Sequence, residues 1–217
     1  MPWPMVHFAI SQQLYSGSPT PNLLLGSIAP DAVHIRGDVT REEKGLTHLV
    51  HEGRLAQKKQ IFEKLEEYLQ MQSEPEWIDF IVGYFTHIYT DLRWTETLYT
   101  DFEKVYKGDH IREAYKNEVS QIEFELQKSM NNILDMKKQL VLAKGYSIYP
   151  FVTEDEVKQY RDLKLIWLNE PNNEPKIQNI YFTTDKVKQF ILETTKEVKE
   201  NLRENNIEYF KEGRNIS

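Results

Sequence analysis

The chain has 217 residues, of which 40% are hydrophobic and 28% are charged, and its formal net charge is −7. This composition is typical of a globular protein with one well-buried core and excludes an intrinsically disordered chain. The negative charge disfavours non-specific binding to nucleic acid or to an anionic membrane surface. Because the chain has no cysteine, a tight site for a divalent ion would use histidine and carboxylate ligands, which suit zinc, manganese or iron.

Two further features bear on location. No apolar run approaches the roughly 20 residues of a membrane-spanning helix, and residues 1–13 lack the basic segment of a secretory signal. We therefore expect a cytoplasmic protein without a transmembrane segment.

Helical periodicity dominates the first half of the chain, where apolar residues recur every three or four positions. It predicts helices at residues 5–14, 22–28, 45–51, 54–72 and 74–99. Residues 17–21 form a predicted turn, and residues 37–44 form a predicted charged loop. Pro30 is well placed to begin a short helical turn that carries Asp31 and His34.

The second half continues this pattern. Residues 111–142 read as helix, with a break expected near Asn131 and Asn132. Thr153 and Glu156 have the spacing of a capping box, which predicts the start of another helix. The remaining predicted elements are a helix over 153–168, a loop over 169–178 and a final helix over 184–210.

Alternation with a period of two residues, which is typical of strands, occurs convincingly nowhere in the sequence. We therefore predict an all-α multi-helix bundle of six to eight helices in a single domain, residues 1–217. Residues 1–100 are expected to carry the functional site, and residues 110–217 to supply further helices. Residues 101–107 either continue the preceding helix or form a loop.

Residues 80–94, FIVGYFTHIYTDLRW, are apolar or aromatic at nearly every position, so a helix here would be buried on all sides. His87 and Asp91 interrupt this pattern on one face, since they are four residues apart. A buried carboxylate without a partner costs several kcal/mol, so Asp91 needs a cation or strong donors. The pair is therefore either a structural bridge, with Asp91 paired to His87 or Arg93, or two ligands of one metal ion.

The other candidate ligands lie within the first 51 residues. Asp31 either binds a metal ion or caps a helix, and His34 is interpreted as a surface residue. His48 is expected to point inward because leucines flank it, whereas His51 precedes a charged run. His7 lies on an apolar helix and would, taken alone, be a core histidine.

Together these candidates give five residues in chain order, namely His7, Asp31, His48, His87 and Asp91. Their surroundings, with Trp3 before MVHFAI and the segments GSIAPDA, THL and GYFTHIYTD, resemble the zinc-dependent phospholipase C family, which is related to the P1-type nucleases. The resemblance covers about the first 95 residues, under half of the chain. It implies a helical bundle of the phospholipase C/P1 nuclease type.

The resemblance also implies a ligand set. Asp31, His48, His87 and Asp91 would surround one zinc ion, and Asp91 with His7 would bind part of a second site. In the family a processed N-terminal tryptophan and a later His-x3-Glu motif complete the cluster. Here the tryptophan is the third residue and no such motif follows position 91. We therefore expect one zinc ion, or two with the second weakly held, and another divalent metal would suit the same ligands.

The expected function is metal-dependent hydrolysis of a phosphoester, including a phosphodiester or a phospholipid, through metal-activated water. Asp31 and His51 are the predicted catalytic residues, with His34 or a spare carboxylate as other candidates for the base. The expected partner is a small-molecule or lipid phosphoester, without a stable nucleic-acid complex.

Two other functions fit parts of the sequence. A non-catalytic protein would keep one structural ion and act through an interaction surface. An HD-type phosphohydrolase is also helical with histidine and aspartate ligands, but it needs an adjacent His-Asp pair, and Asp109 and His110 occur in the reverse order in a predicted loop. Aromatic residues of the second half, such as Tyr160 and Trp167, are interpreted as core residues rather than as the lining of a pocket.

Overall fold

The computed structural model describes residues 3–15 and 19–207, and their regular structure is helical. The α-helices of these residues are α1 (Pro4–Leu14), α2 (Pro21–Gly26), α3 (Arg41–Thr47), α4 (Lys58–Leu69), α5 (Pro75–Trp94), α6 (Thr100–Val105), α7 (Ile111–Ser129), α8 (Ile133–Leu142), α9 (Glu154–Asn169) and α10 (Thr184–Glu204). Two 3₁₀ segments, Ala29–Arg36 and Pro171–Asn173, and a π-helical segment, Thr95–Tyr99, lie between them. The described residues contain no strand, which confirms the prediction of an all-α protein.

The prediction of six to eight helices was wrong, because the described residues contain ten. Helix α5 continues through the π-helical segment into α6, so residues 101–105 continue the preceding helix and do not form a loop. The chain also breaks at Asn131 and Asn132, as expected, which separates α7 from α8. The predicted turn at 17–21 lies partly outside the described residues. The last helix ends at Glu204, so the predicted end at 210 was wrong.

The largest local error concerns α3. Thr40 Oγ1 accepts a hydrogen bond from the backbone N–H of Glu43, and the Glu43 carboxylate accepts one from the backbone N–H of Thr40. This capping box starts the helix at Arg41, within the predicted loop 37–44. His48 therefore follows the end of a helix, and the prediction of a helix over residues 45–51, which would have carried both His48 and His51, was wrong.

Helix α5 is the centre of the molecule. Of its 20 residues, 16 are buried, which confirms that this segment is enclosed on all sides. Helices α2, α4 and α10 pack against it. Residues from both predicted halves contribute to one hydrophobic core, which includes Met5 of α1 and Leu202 of α10.

Two glycines allow α2 and α5 to approach at backbone distance. A Cβ atom on Gly26 would lie 2.0 Å from the carbonyl oxygen of Phe80, and one on Gly83 would lie 2.4 Å from the carbonyl oxygen of Leu23. Neither position leaves room for a side chain unless a backbone moves. The contact therefore fixes the residues that follow α2, starting with Ser27, against the middle of α5.

Helix α9 packs against the 3₁₀ segment that carries Asp31. Arg36 anchors this contact, because its guanidinium binds the carboxylate of Glu156 and the carbonyl oxygen of Phe151. The C-terminal half thus lies directly beside the predicted site. Among the described residues, no helix has the length and apolar character to cross a membrane.

We predict that Gly83→Ala destabilises the fold. The new methyl group would overlap the backbone of α2, and overpacking of this kind costs about 1–3 kcal/mol or more, which outweighs the gain of about 1 kcal/mol in helix propensity. Urea unfolding measures the change. Gly145→Ala is the control, because a Cβ atom there meets only side-chain atoms of Glu154 and Lys158. Equal free energies of unfolding for the two variants would contradict the tight crossing.

Candidate metal centre

The structure brings all five predicted ligands together. His7 lies in α1, Asp31 in the 3₁₀ segment, His48 just after α3, and His87 and Asp91 in α5. The side chains of His7, His48, His87 and Asp91 are each 1% exposed, whereas that of Asp31 is 15% exposed. The cluster is therefore enclosed, with Asp31 at its edge.

Backbone carbonyl groups orient two of the imidazoles. Nδ1 of His87 lies 2.8 Å from the carbonyl oxygen of Ser27, and Nδ1 of His48 lies 3.0 Å from the carbonyl oxygen of Lys44. A carbonyl oxygen only accepts hydrogen bonds, so a proton on each Nδ1 satisfies these contacts. The hydroxyl group of Thr47, 2.8 Å from Nδ1 of His48, fits the same tautomer, because it donates its own proton to the carbonyl oxygen of Lys44. In the neutral ring, Nε2 then has a free lone pair, which is the arrangement found in metal-binding histidines.

The two Nε2 atoms face each other across 3.3 Å. Two lone pairs at this distance repel unless a proton or a metal ion lies between them. The Oδ2 atom of Asp91 lies 3.4 Å from each of these nitrogens, and Oδ1 of Asp31 lies 3.4 Å from Nε2 of His48. Zinc bonds of about 2.0–2.1 Å in a tetrahedron separate neighbouring ligand atoms by about 3.3–3.4 Å. These four distances match the spacing of neighbouring ligands on one tetrahedral ion, and Asp31, His48 and His87 can provide three ligand atoms within 4.8 Å of one another.

Several buried polar atoms of the cluster lack a hydrogen-bond partner among the described residues. They are Oδ1 of Asp31, both carboxylate oxygens of Asp91 and both ring nitrogens of His7. Buried polar groups are paired in the great majority of cases. A bound cation would satisfy the carboxylate oxygens, so this pattern also fits a metal site.

His7 occupies a different position from the other histidines. Its ring stacks on that of His87 with a centroid distance of 3.9 Å, and its Nε2 lies 3.6 Å from Oδ1 of Asp91. Asp91 thus directs one oxygen towards His7 and the other towards His48 and His87. His7, His87 and Asp91 can provide three ligand atoms within 4.8 Å of one another, but His87 is shared with the tetrahedral set. The geometry is more complete for one ion than for two.

The charges of the cluster support a cation at its centre. Burial alone lowers the pKa of an imidazole, but the carboxylates of Asp31 and Asp91 outweigh it and raise the pKa of His48 to about 9. Burial alone raises the pKa of a carboxyl group, yet His87 and His48 hold the pKa of Asp91 well below its usual range. Burial lowers the pKa of His7 to about 3, with His87 adding to the effect. Without a metal ion, His48 therefore carries the positive charge.

The other sequence candidates lie elsewhere. The side chain of His51 is 93% exposed and its Nε2 lies 3.9 Å from the carboxylate of Glu52, so the structure does not bring this predicted base into the cluster. His110 is exposed at the start of α7, as expected. His34 was interpreted as a surface residue and is 41% exposed, but its Nε2 lies 3.7 Å from Oδ1 of Asp31. It therefore belongs to the edge of the site.

Sequence reasoning missed three side chains at this edge. Nζ of Lys44 lies 3.4 Å from Oδ1 of Asp31, and the hydroxyl group of Tyr160 lies 3.4 Å from Oδ2. Lys164, one turn after Tyr160 on α9, places its Nζ 5.0 Å from the tyrosine ring centroid. Tyr160 is buried, as the core interpretation requires, and it also contacts the site. The sequence carries no spacing signal that links α9 to Asp31.

No protein-family model, curated protein or solved structure matches this chain. The resemblance to the phospholipase C family therefore stays an expectation that rests on the motif residues of the first 95 positions.

We predict that Asp91→Asn abolishes zinc binding. The amide removes the negative charge that faces three imidazoles, and its NH₂ group cannot ligate an ion. Elemental analysis of protein purified without chelators measures the zinc content, and circular dichroism checks that the helices persist. His110→Ala changes an exposed histidine and should keep the wild-type content. A folded Asp91→Asn protein with stoichiometric zinc would refute the assignment.

We also predict that zinc binding releases a proton. At neutral pH His48 is protonated in the metal-free protein, because its pKa is about 9, and a ligand nitrogen must be deprotonated. Zinc affinity should therefore rise about tenfold per pH unit between about pH 6 and pH 8. Calorimetry in buffers of different ionisation enthalpy counts the protons directly. An affinity that stays constant over this range would contradict the location of the proton.

Proposed function

We propose that this protein is a metal-dependent hydrolase that acts on a phosphoester. The observation that carries the proposal is the pair of Nε2 atoms of His48 and His87, which face each other at 3.3 Å within contact of two aspartates. Zinc fits this ligand set best, because the ligand atoms are nitrogen and oxygen at the spacing of a tetrahedral zinc site. When bound, such an ion lowers the pKa of a coordinated water towards neutrality and stabilises negative charge on a phosphoryl oxygen.

Asp31 is the ligand that can open the site. His48, His87 and Asp91 are enclosed, and their positions are fixed by helix α5 and by backbone carbonyl groups. Asp31 lies at the edge, where Lys44 and Tyr160 are alternative partners for its two oxygens. Catalytic zinc sites keep one position free of protein ligands. In this proposal Asp31 would leave that position open, since Lys44 and Tyr160 hold it at the edge in the absence of substrate.

His34 is the base in this proposal. Burial lowers the pKa of His34, and the nearby ammonium groups of Lys44 and Lys164 lower it further against the opposing effect of Asp31. Its imidazole is therefore neutral at pH 7 and able to accept a proton from water. Its partial exposure lets that proton pass to solvent. This assignment replaces His51, which the structure leaves outside the cluster.

A second candidate is a non-catalytic protein with a structural ion. A closed shell of four protein ligands is typical of structural zinc sites, and three of the four side chains here are 1% exposed. In this case Asp31 would stay on the ion and the protein would act through its surface. The HD-type alternative loses support, because Asp109 and His110 are exposed in a loop and belong to neither candidate metal-ligand group of the described residues.

Turnover by the zinc-loaded protein separates these functions. The substrates would be p-nitrophenyl phosphate, bis(p-nitrophenyl) phosphate and a short-chain phosphatidylcholine. We predict hydrolysis of at least one of them. His34→Ala should lower kcat about 10²–10⁴-fold, as expected for loss of a general base, and should remove the acidic limb of the pH–rate profile while zinc content stays the same.

His51→Ala is the matched control, since it removes an exposed histidine outside the cluster and should leave kcat unchanged. Stoichiometric zinc without turnover of any of these substrates would favour the structural ion. If His51→Ala rather than His34→Ala loses activity, the base assigned from the structure is wrong.

A further inference from the structure

Two ammonium groups converge at the edge of the metal centre. Nζ of Lys44 lies 3.4 Å from Oδ1 of Asp31 and 3.1 Å from Nε2 of His34. Nζ of Lys164 lies over the ring of Tyr160 at 5.0 Å and over the ring of Trp3 at 5.5 Å. Both lysine side chains are half-buried. They come from opposite halves of the chain, and both interact with Asp31, the most exposed of the five clustered side chains.

The positive charge of these groups exceeds the negative charge of the carboxylates near them. A divalent ion, Lys44 and Lys164 together carry four positive charges, and Asp31 and Asp91 carry two negative charges, so two positive charges remain whether Asp31 faces the ion or Lys44. Glu123 is the other carboxyl group that interacts with Lys164. Burial raises the pKa of Glu123 to about 8, which leaves it mainly protonated at neutral pH. Two positive charges thus face the edge of an otherwise neutral centre.

Lys164 is also held in an unusual environment. It is half-buried between two aromatic rings, and burial lowers its pKa despite the attraction of Asp31 and Glu123. Aromatic faces attract an ammonium group, but they do not satisfy its three hydrogen-bond donors. A compact anion with several acceptor oxygens would do so.

We propose that Lys44, Lys164 and Tyr160 form a subsite for a phosphate dianion, so that the substrate is a phosphomonoester rather than a phosphodiester. This inference rests on the proposed function and specifies its substrate class. A monoester at neutral pH carries close to two negative charges, which match the two surplus ammonium groups, whereas a diester carries one. The hydroxyl group of Tyr160, which lies 3.4 Å from Oδ2 of Asp31, adds a further hydrogen-bond donor.

The subsite also affects His34. Lys44 donates to Nε2 of His34 in the absence of substrate, which occupies the lone pair that a base needs. A phosphate that binds Lys44 would draw its ammonium group away and free that nitrogen. Substrate binding would then prepare the base for the reaction.

Binding of inorganic phosphate and dimethyl phosphate tests the proposal without requiring turnover. Calorimetry would be carried out on EDTA-treated and on zinc-loaded protein. We expect Lys164→Gln to weaken phosphate binding about 10- to 100-fold, the strength of hydrogen bonds to charged groups, in both states. Dimethyl phosphate should bind the wild type more weakly than phosphate does, and the Lys164→Gln substitution should lower its affinity by a smaller factor. Lys164→Arg should restore part of the affinity.

Lys158→Gln is the matched control, because Lys158 lies on the same helix and pairs with Glu154 instead. Equal effects of the two substitutions, or tighter binding of the diester than of phosphate, would overturn the subsite. If the protein nevertheless hydrolyses phosphoesters, either result would leave the proposed function standing.

If Lys164→Gln alone weakens phosphate binding and the protein hydrolyses no phosphoester, the anion subsite is supported and the hydrolase function is refuted. If the subsite and the hydrolase function are both correct, Lys164→Gln should raise KM for a monoester at least tenfold with a smaller change in kcat.

Discussion

The carboxylate of Asp91 is the group on which the rest of the site depends. It is enclosed by the protein, and the imidazoles of His7, His48 and His87 lie 3.4–3.6 Å from its oxygens. A buried carboxylate is tolerated only beside a positive charge or strong donors. In the metal-free protein a proton on His48 supplies that charge, and a divalent ion would supply it at the same location. The side chains therefore need little rearrangement to exchange one for the other.

Helix packing supplies the precision of this arrangement. Because Gly26 and Gly83 lack side chains, α2 and α5 approach at backbone distance, and the carbonyl oxygen of Ser27 reaches Nδ1 of His87. The chain then turns directly into the 3₁₀ segment that carries Asp31. A tight crossing thus sets the tautomer of His87 and the position of Asp31. Ligands held by the backbone in this way are oriented before any ion binds.

The sequence predicted the parts of the site that depend on local pattern. His87 and Asp91 interrupt an otherwise apolar helix, which predicts a buried polar cluster. One segment is enough for this prediction, because it shows both that the two side chains share a helical face and that burying a carboxylate requires a partner. The position of α3 had a local signal too, in Thr40 and Glu43, but the density of charges around it favoured a loop. Tyr160 could not be predicted, because its contact with Asp31 joins residues that are 129 positions apart and depends on how α9 packs. Helix periodicity shows which face of a helix is buried but not which residue it meets.

In the proposed metal centre the buried ligands and the exposed edge would have different functions. Three enclosed side chains would determine whether an ion binds, and a structural site would need no more than a fourth ligand to close it. Here the fourth ligand, Asp31, lies between the centre and a group of polar side chains formed by His34, Lys44, Lys164 and Tyr160. A purely structural ion gains nothing from two half-buried lysines nearby, because like charges raise the free energy of the bound cation. An anionic substrate removes that penalty, so the charge at the edge favours a centre that acts on anions over one that only stabilises the helices.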